Sequence, residues 1–150
     1  MKIETSLYQV ALNLVGIREI PGNDDNGFIK WCLSLTTVPS PHHDEIPWCS
    51  AFVHGLCKIL GIKPSGSAAA RSWRAKGTPV DKDHAEIGMD IVILSRGGSP
   101  TAGHVGVFAG YDGPDKIKVL GGNQADMVCI RSFPRASVIG IRRLGVGEQV

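Results

Sequence analysis

The sequence lacks the cysteine spacings of metal-binding and disulfide-stapled proteins. Its four cysteines, Cys32, Cys49, Cys57 and Cys129, form no CxxC motif and no paired Cys/His pattern, so they do not predict a zinc site. The 150 residues, 43% of them hydrophobic, are enough to bury a core without such support. We therefore expect a single domain over residues 1–150 with reduced thiols, no cofactor and no metal.

Basic runs, long apolar stretches and internal repeats are also missing. The formal net charge is only +2 and the basic residues do not cluster, which argues against nucleic-acid binding. No apolar run approaches the roughly 18 residues of a membrane span, and the amino terminus has no signal-peptide pattern. We expect a monomer without stable membrane insertion that is first held in the cytoplasm.

Two short polar stretches have the residue types of metal loops without the required spacing. Asn23, Asp25 and Gly27 suggest a calcium loop, but no twelve-residue pattern ending in glutamate follows. The run His42-His43-Asp44 could offer zinc ligands, but adjacent side chains seldom point at one ion. We interpret the first stretch as turns and caps and the second as the rim of a cleft.

Helical patterns come first in the chain and strand patterns come later. Apolar residues recur at helical spacing over residues 6–16, 28–33 and 49–60, and a further helical run covers 67–75. After Gly88, short β-rich runs are separated by Gly, Pro, Asn and Asp clusters. These runs cover 90–94, 104–109, 116–120, 128–133 and 138–142. The order predicts an α+β fold with antiparallel strands.

Cys49 is predicted to lie in the first turn of a helix. Pro47 just before it cannot continue a hydrogen-bond ladder and suits a helix start, and Gly61 marks the end. The unpaired N–H groups and the dipole at this end favour a thiolate and should lower the thiol pKa below its usual value of about 8.5. The sequence therefore predicts a nucleophile, the alternative being a buried packing thiol.

A base and a group to orient it are found in the second half. His104 opens the alternating strand Gly103–Phe108, with Val105 and Val107 on the opposite face from the histidine. Asn123 follows the next strand, and in antiparallel neighbours the start of one strand meets the end of the other. We expect the Asn123 amide to fix the His104 tautomer so that the other ring nitrogen faces Cys49. An ordinary core histidine and an ordinary turn residue are the alternatives.

The remaining histidine and thiols near these residues fit the chemistry less well. His54 is five residues after Cys49, about 140° around a helix, so the two side chains cannot readily meet. Cys32, Cys57 and Cys129 lie among apolar neighbours and are interpreted as packing thiols.

Five segments occur together in a specific order: Glu19–Gly22, Asp44–Phe52, Ala70–Trp73, Gly103–Gly106 and Leu120–Gln124. Their strings Trp-Cys-Ser-Ala-Phe, Gly-His-Val-Gly and Gly-Gly-Asn-Gln resemble small phage-associated cell-wall hydrolases, which are endolysin-like members of the CHAP and NlpC-like cysteine peptidase/amidase superfamily. The resemblance implies a papain-like α+β fold, with amino-terminal helices packed on a carboxy-terminal antiparallel sheet. It also implies hydrolysis of an amide bond in the peptide part of bacterial peptidoglycan.

Residue by residue, the resemblance matches Cys49 to the nucleophile, His104 to the general base and Asn123 to the orienting residue. Many CHAP relatives carry a glutamate two places before that asparagine, where this chain has Gly121. The aspartate motif of calcium-binding relatives is missing. We further expect Trp48 and Trp73 to wall the cleft with the 35–47 loop, although both are equally good core residues, and Asp44 to line a polar subsite.

The resemblance leaves the biological setting open. A phage or prophage endolysin would wait in the host cytoplasm until a membrane lesion lets it reach the cell wall in the periplasm. The alternatives are an exported antibacterial amidase effector, a catalytically silent wall-binding domain and a thiol acyltransferase. The bond cut could be the N-acetylmuramoyl-L-alanine amide or a bond within the peptide.

Overall fold

Helices occupy the first half of the chain and strands the second, in a computed structural model that describes residues 5–21, 25–44 and 47–145. The α-helices are α1 (Leu7–Leu12), α2 (Gly27–Ser34) and α3 (Cys49–Leu60), and a 3-10 helix covers Ala70–Ala75. The strands are β1 (Thr78–Pro79), β2 (Asp90–Ser95), β3 (Gly103–Asp112), β4 (Lys116–Gln124), β5 (Met127–Pro134) and β6 (Val138–Arg143), with a 3-10 turn at Arg135–Ser137. The predicted α+β class is confirmed.

The helix ends follow from local side-chain chemistry. The Ser6 hydroxyl accepts a hydrogen bond from the Gln9 N–H at 3.2 Å and caps α1. Gly61 ends α3 in the left-handed conformation, with φ of 72°, which glycine adopts without strain. None of the described helices is both long and apolar enough to cross a membrane.

Two predicted helices are longer than the observed ones. α1 ends at Leu12 and does not continue to Gly16. The run over 67–75 forms only the 3-10 helix, because the Ser67 hydroxyl accepts a hydrogen bond from the Ala69 N–H at 3.1 Å. Such side-chain bonds to nearby backbone compete with regular helix.

The six strands form one antiparallel sheet in the order β1-β6-β2-β3-β4-β5. All five predicted strands are present, and only the two-residue strand β1 escaped prediction because it is too short to show a period. Strand β3 lies between β2 and β4, with His104 opposite Leu94 and Val107 opposite Leu120. The start of β3 and the end of β4 therefore lie at the same edge of the sheet, as predicted.

The two faces of the sheet carry separate apolar clusters. The cluster that packs with α3 includes Val105, Val107 and Leu120, together with Trp48 and Phe52. The opposite face carries a second cluster, made of Val92, Leu94, Phe108, Ile117, Val119 and Ile141. The predicted alternation along β3 is thus confirmed, and burial of the first face holds the amino end of α3 beside the sheet.

At Gly122 the sheet approaches the start of α3 closely. A Cβ atom built there would lie 2.4 Å from Trp48 Cζ3 and 2.9 Å from Phe52 Cβ. We expect Gly122→Ala to lower the free energy of unfolding by about 1–3 kcal/mol, since overpacking forces these groups apart. Urea denaturation measures the change. Gly98→Ala is the control, because a Cβ at Gly98 meets nothing within 4 Å; equal midpoints for the two variants would contradict this packing.

Candidate active site

Cys49 is the first residue of α3 and its side chain is almost fully buried, with 7% of the residue exposed. Its N-cap, Trp48, provides no capping side-chain hydrogen bond, so the first N–H groups of the helix surround the sulfur without a competing acceptor. The backbone N–H of Val105, the residue after His104, also lies beside the sulfur. The predicted position at a helix start is confirmed.

The charge state of Cys49 differs from the prediction. Burial raises the pKa of the thiol above its ordinary value, since desolvation penalises the thiolate. The backbone N–H groups of Val105, Ser50 and Cys49 and the positive charge of Arg96 act in the opposite direction but do not outweigh burial. The predicted lowering of the pKa is therefore wrong, because sequence position gave the helix end but not the depth of the sulfur.

This raised pKa predicts the pH dependence of alkylation. A raised pKa means fewer thiolates at pH 7 than in free cysteine, so the rate of Cys49 alkylation by iodoacetamide should keep rising above about pH 8.5. Peptide mass mapping of the intact folded chain identifies the modified cysteine, and N-acetylcysteine provides the free-thiol reference. If the alkylation rate of Cys49 levelled off below pH 7, the thiol would be ionised at neutral pH, which would contradict its raised pKa.

His104 lies at the start of β3 and is 2% exposed. Its Nε2 is 2.8 Å from Gln124 Oε1, and its ring packs against Phe133 with the centroids 5.4 Å apart. Burial lowers the pKa of His104 to about 4, although the hydrogen bond to Gln124 acts against this. The imidazole is consequently neutral at pH 7. Its other nitrogen, Nδ1, is buried and has no hydrogen-bond partner.

The structure brings the backbone at His104 next to Cys49. The Val105 N–H beside the sulfur belongs to the peptide bond that leaves His104. The positive charge of Arg96 lowers the pKa of both groups, so the two side chains share one charged neighbour. No hydrogen bond joins the ring to the sulfur, since Nδ1 is unpaired. Such bonds are often long in free enzymes and tighten in the substrate complex.

The hydrogen bond predicted for Asn123 is made by Gln124 instead. In a regular strand, Asn123 would share a face with Gly121 and Gln124 would not. The register of β4 against β5 shifts between Gly121 and Gln124, and Asn123 has a φ of 59°. This β-bulge turns Gln124 toward His104. A prediction that assumes strict alternation does not include this bulge. The sequence signal for it is Asn123 itself, because asparagine tolerates positive φ.

The residues predicted to bind substrate are buried in this structure. Trp48 and Trp73 are 0% exposed, and their ring N–H groups donate to Glu19 Oε2 at 3.0 Å and to Ser50 Oγ at 2.8 Å. Both belong to the core, which was the alternative. Fully enclosed rings with satisfied N–H groups pack the fold, so they do not line an open cleft.

Asp44 also has a structural role in place of the expected subsite. It is 2% exposed, and its Oδ2 accepts hydrogen bonds from the N–H groups of Ile20 and Asn26, both at 2.7 Å. It ties the loop before α2 to the loop before α3. Two backbone donors thus already occupy one oxygen of its carboxylate.

The two suggested metal loops contact each other, but their described side chains do not form a metal site. His42 Nε2 lies 2.9 Å from the Val38 carbonyl oxygen, whereas His43 Nδ1 lies 3.0 Å from Asp25 Oδ2. Asn23 falls outside the described residues. Among residues 5–21, 25–44 and 47–145, no three His, Cys, Asp or Glu side chains are grouped to hold a metal ion.

The other thiols are interpreted as packing groups, and His54 has a structural role of its own. Burial raises the pKa of Cys32 and Cys57 to about 12, whereas Cys129 is half-buried and its Sγ lies 3.4 Å from the Gln124 carbonyl oxygen. His54 Nδ1–H donates to the Ser50 carbonyl at 2.8 Å, and Nε2 accepts from the backbone N–H of Gly66 at 2.9 Å. It holds the following loop against α3.

Comparison with known proteins identifies the family. No curated protein matches the chain. Among solved structures, an NlpC/P60 family protein from Bacillus cereus ATCC 10987 is 22% identical with a TM-score of 0.44, over 63% of this chain and 30% of that one. NlpC1 from Trichomonas vaginalis is 14% identical with a TM-score of 0.49, over 95% and 46%. The chain spans less than half the length of either protein.

A family model identifies the family from the sequence itself. The model for the CHAP domain aligns with residues 41–123, more than half of the 150 residues. The matched range includes Cys49 and His104 and ends at Asn123, one residue before the partner of the histidine. With Cys49 at a helix start and His104 on the neighbouring strand, the chain belongs to the CHAP domain family.

Proposed function

We propose that this chain is a cysteine hydrolase that cuts an amide bond in the peptide part of bacterial peptidoglycan. One observation carries the proposal: the Cys49 sulfur lies beside the Val105 N–H, at the start of β3, where His104, buried and neutral, has an unpartnered Nδ1. A thiol at a helix start and a free imidazole nitrogen on the adjoining strand are the parts that nucleophilic amide cleavage requires. Membership of the CHAP family supports the substrate class.

In the acylation step, His104 acts as the base. Its Nδ1 takes the thiol proton as the Cys49 sulfur attacks the amide carbonyl carbon, which forms a C–S bond and a tetrahedral oxyanion. The N–H groups at the start of α3 then donate hydrogen bonds to that oxyanion. Collapse of the intermediate breaks the C–N bond, and the imidazolium gives its proton to the leaving amine.

The second step returns the enzyme to its starting state. Neutral His104 takes a proton from a water molecule, and the resulting hydroxide equivalent attacks the thioester carbonyl. The C–S bond then breaks, the product leaves as a carboxylic acid, and the proton on His104 returns to the sulfur. Because both groups begin neutral, the thiol is deprotonated only as attack occurs.

The biological setting we propose is release of a phage or prophage lysin from the host cytoplasm to the cell wall. The resemblance to phage-associated hydrolases in the Trp-Cys-Ser-Ala-Phe and Gly-His-Val-Gly strings supports this setting. Expression in the bacterial cytoplasm should be harmless until the inner membrane is permeabilised, and turbidity should fall afterwards. Lysis that requires no permeabilisation would contradict this order of events.

Digestion of purified peptidoglycan tests the activity and identifies the bond. The chain is incubated with insoluble sacculi in ¹⁸O-labelled water, and mass spectrometry then identifies new termini. Hydrolysis predicts one ¹⁸O atom in each new carboxyl group and a matching free amine. A muramoyl lactyl carboxyl indicates an amidase, and a carboxyl within the stem or cross-link indicates an endopeptidase. Unlabelled products joined to an added amine would indicate acyl transfer, and binding without new termini would indicate a silent wall-binding domain.

A further inference from the structure

The side-chain amide of Gln124 is held in one orientation. Its Nε2 donates hydrogen bonds to the carbonyl oxygens of Cys129 at 2.7 Å and Val119 at 3.3 Å. Carbonyl oxygens only accept, so the NH₂ group must face them and Oε1 must face His104. Gln124 is only 3% exposed, so bulk solvent has little access to these contacts.

The fixed amide determines which nitrogen of His104 carries the proton. Oε1 of Gln124 has no hydrogen to donate, so Nε2 of the neutral ring must be the donor across the 2.8 Å contact. The other nitrogen, Nδ1, then carries a lone pair. Nδ1 is also the buried atom that has no hydrogen-bond partner. Its lone pair is therefore free to receive a proton.

The place of the Gln124 amide is available only because residue 121 is glycine. A Cβ atom at Gly121 would lie 2.7 Å from Gln124 Oε1 and 3.4 Å from His104 Nε2. A Cβ atom at 121 would therefore force the Gln124 amide out of its place beside His104. Gln124 is three residues after Gly121. The bulge at Asn123 turns the Gln124 side chain into the space that the missing side chain of Gly121 leaves empty.

We propose that Gln124 is the positioning residue of His104, that it holds the ring in the Nε2–H tautomer, and that Gly121 and the bulge at Asn123 are what allow it to do so. The consequence for catalysis rests on the proposed function. The tautomer itself does not, and can be measured in the resting protein. An amide carries no charge, so this device orients the ring without stabilising an imidazolium as a carboxylate would.

Nitrogen NMR of the histidine rings tests the tautomer without any substrate. In ¹⁵N-histidine-labelled protein, His104 should show a protonated Nε2 and an unprotonated Nδ1; its signals are identified by their loss in His104→Gln. In Gln124→Met, which keeps the length but removes the acceptor, both tautomers should be populated. A protonated Nδ1 in the unaltered chain, or an unchanged tautomer in Gln124→Met, would overturn the proposal.

Kinetics on peptidoglycan provide a second readout. Gln124→Met should lower kcat roughly 10- to 100-fold, part of the range for general-base catalysis, with little change in KM. Asn123→Gly keeps a residue suited to positive φ and removes the Asn123 amide, so its loss should be far smaller. Gln9→Met, at an exposed position of α1, is the control. If Asn123→Gly lowered kcat as much as Gln124→Met or more, Asn123 would be the residue that positions His104.

A double-mutant cycle tests the coupling of residues 121 and 124. Gly121→Ala alone should lower kcat because its methyl group displaces the amide, whereas the same change in a Gln124→Ala background should add little. Additive losses would overturn the coupling. If the tautomers follow expectation and no variant or parent cuts peptidoglycan, the proposed function fails while the role of Gln124 at His104 stands.

Discussion

Cys49→Ala is expected to abolish cleavage of peptidoglycan, with a fall in kcat/KM on the order of 10⁴-fold or more, as found when a catalytic nucleophile is removed. Without the sulfur there is no atom to form the acyl intermediate on which the proposed cleavage depends. The assay is the release of new termini from sacculi, quantified by mass spectrometry. Cys49→Ser, close in size, should be nearly as inactive, because the hydroxyl is a much weaker acid.

A second thiol in the same helix provides the matched control. Cys57 is buried in α3 and belongs to the packing side, so Cys57→Ala should cost stability and leave most of the activity. Circular dichroism melting curves for each variant separate unfolding from loss of chemistry. Product release by folded Cys49→Ala within about tenfold of the unaltered chain, against the loss expected of a nucleophile, would remove the nucleophile assignment.

His104→Ala is expected to lower the acylation rate roughly 100- to 10,000-fold, the range that general-base catalysis provides. The thiol pKa is raised by burial, so few sulfurs are ionised without help at pH 7. The loss should shrink as pH rises, because hydroxide then removes the proton in place of the imidazole. Single-turnover measurements of the thioester, across a range of pH, follow this step directly.

Two further variants distinguish catalysis from folding at this position. His104→Gln keeps a donor for Gln124 and fills more of the buried space than alanine, so it should fold better and remain inactive. His84→Ala, at a side chain that is 80% exposed, should retain full activity. Near-normal acylation by folded His104→Gln would mean that another group handles the proton.

Much of the fold could be predicted because its signals are local. Ser6 and Gly61 mark helix ends through cap chemistry, and the alternating Val105 and Val107 identify a strand with one face on the core. The edge shared by the ends of β3 and β4 followed from antiparallel pairing alone. These features depend on neighbouring residues, which a single sequence displays.

The predictions were wrong where a property depends on how deeply a side chain is buried, or on one residue that departs from regular strand geometry. Periodicity located Cys49 at a helix start, but the pKa of its thiol depends on how much solvent the packed sheet excludes. Trp48 and Trp73 were equally suited to core and cleft until their neighbours were known. The partner of His104 was displaced by one position because a single left-handed residue, Asn123, reverses the alternation that the prediction assumed.

The protonated state of Cys49 also bears on how the protein survives before it meets a substrate. Peroxide and electrophilic metabolites attack the thiolate form of cysteine, and attack slows as that form becomes rarer. A sulfur that stays protonated inside the fold is accordingly poorly susceptible to oxidative inactivation. In the lysin setting proposed above, molecules that wait before use would lose less activity to oxidation of this sulfur.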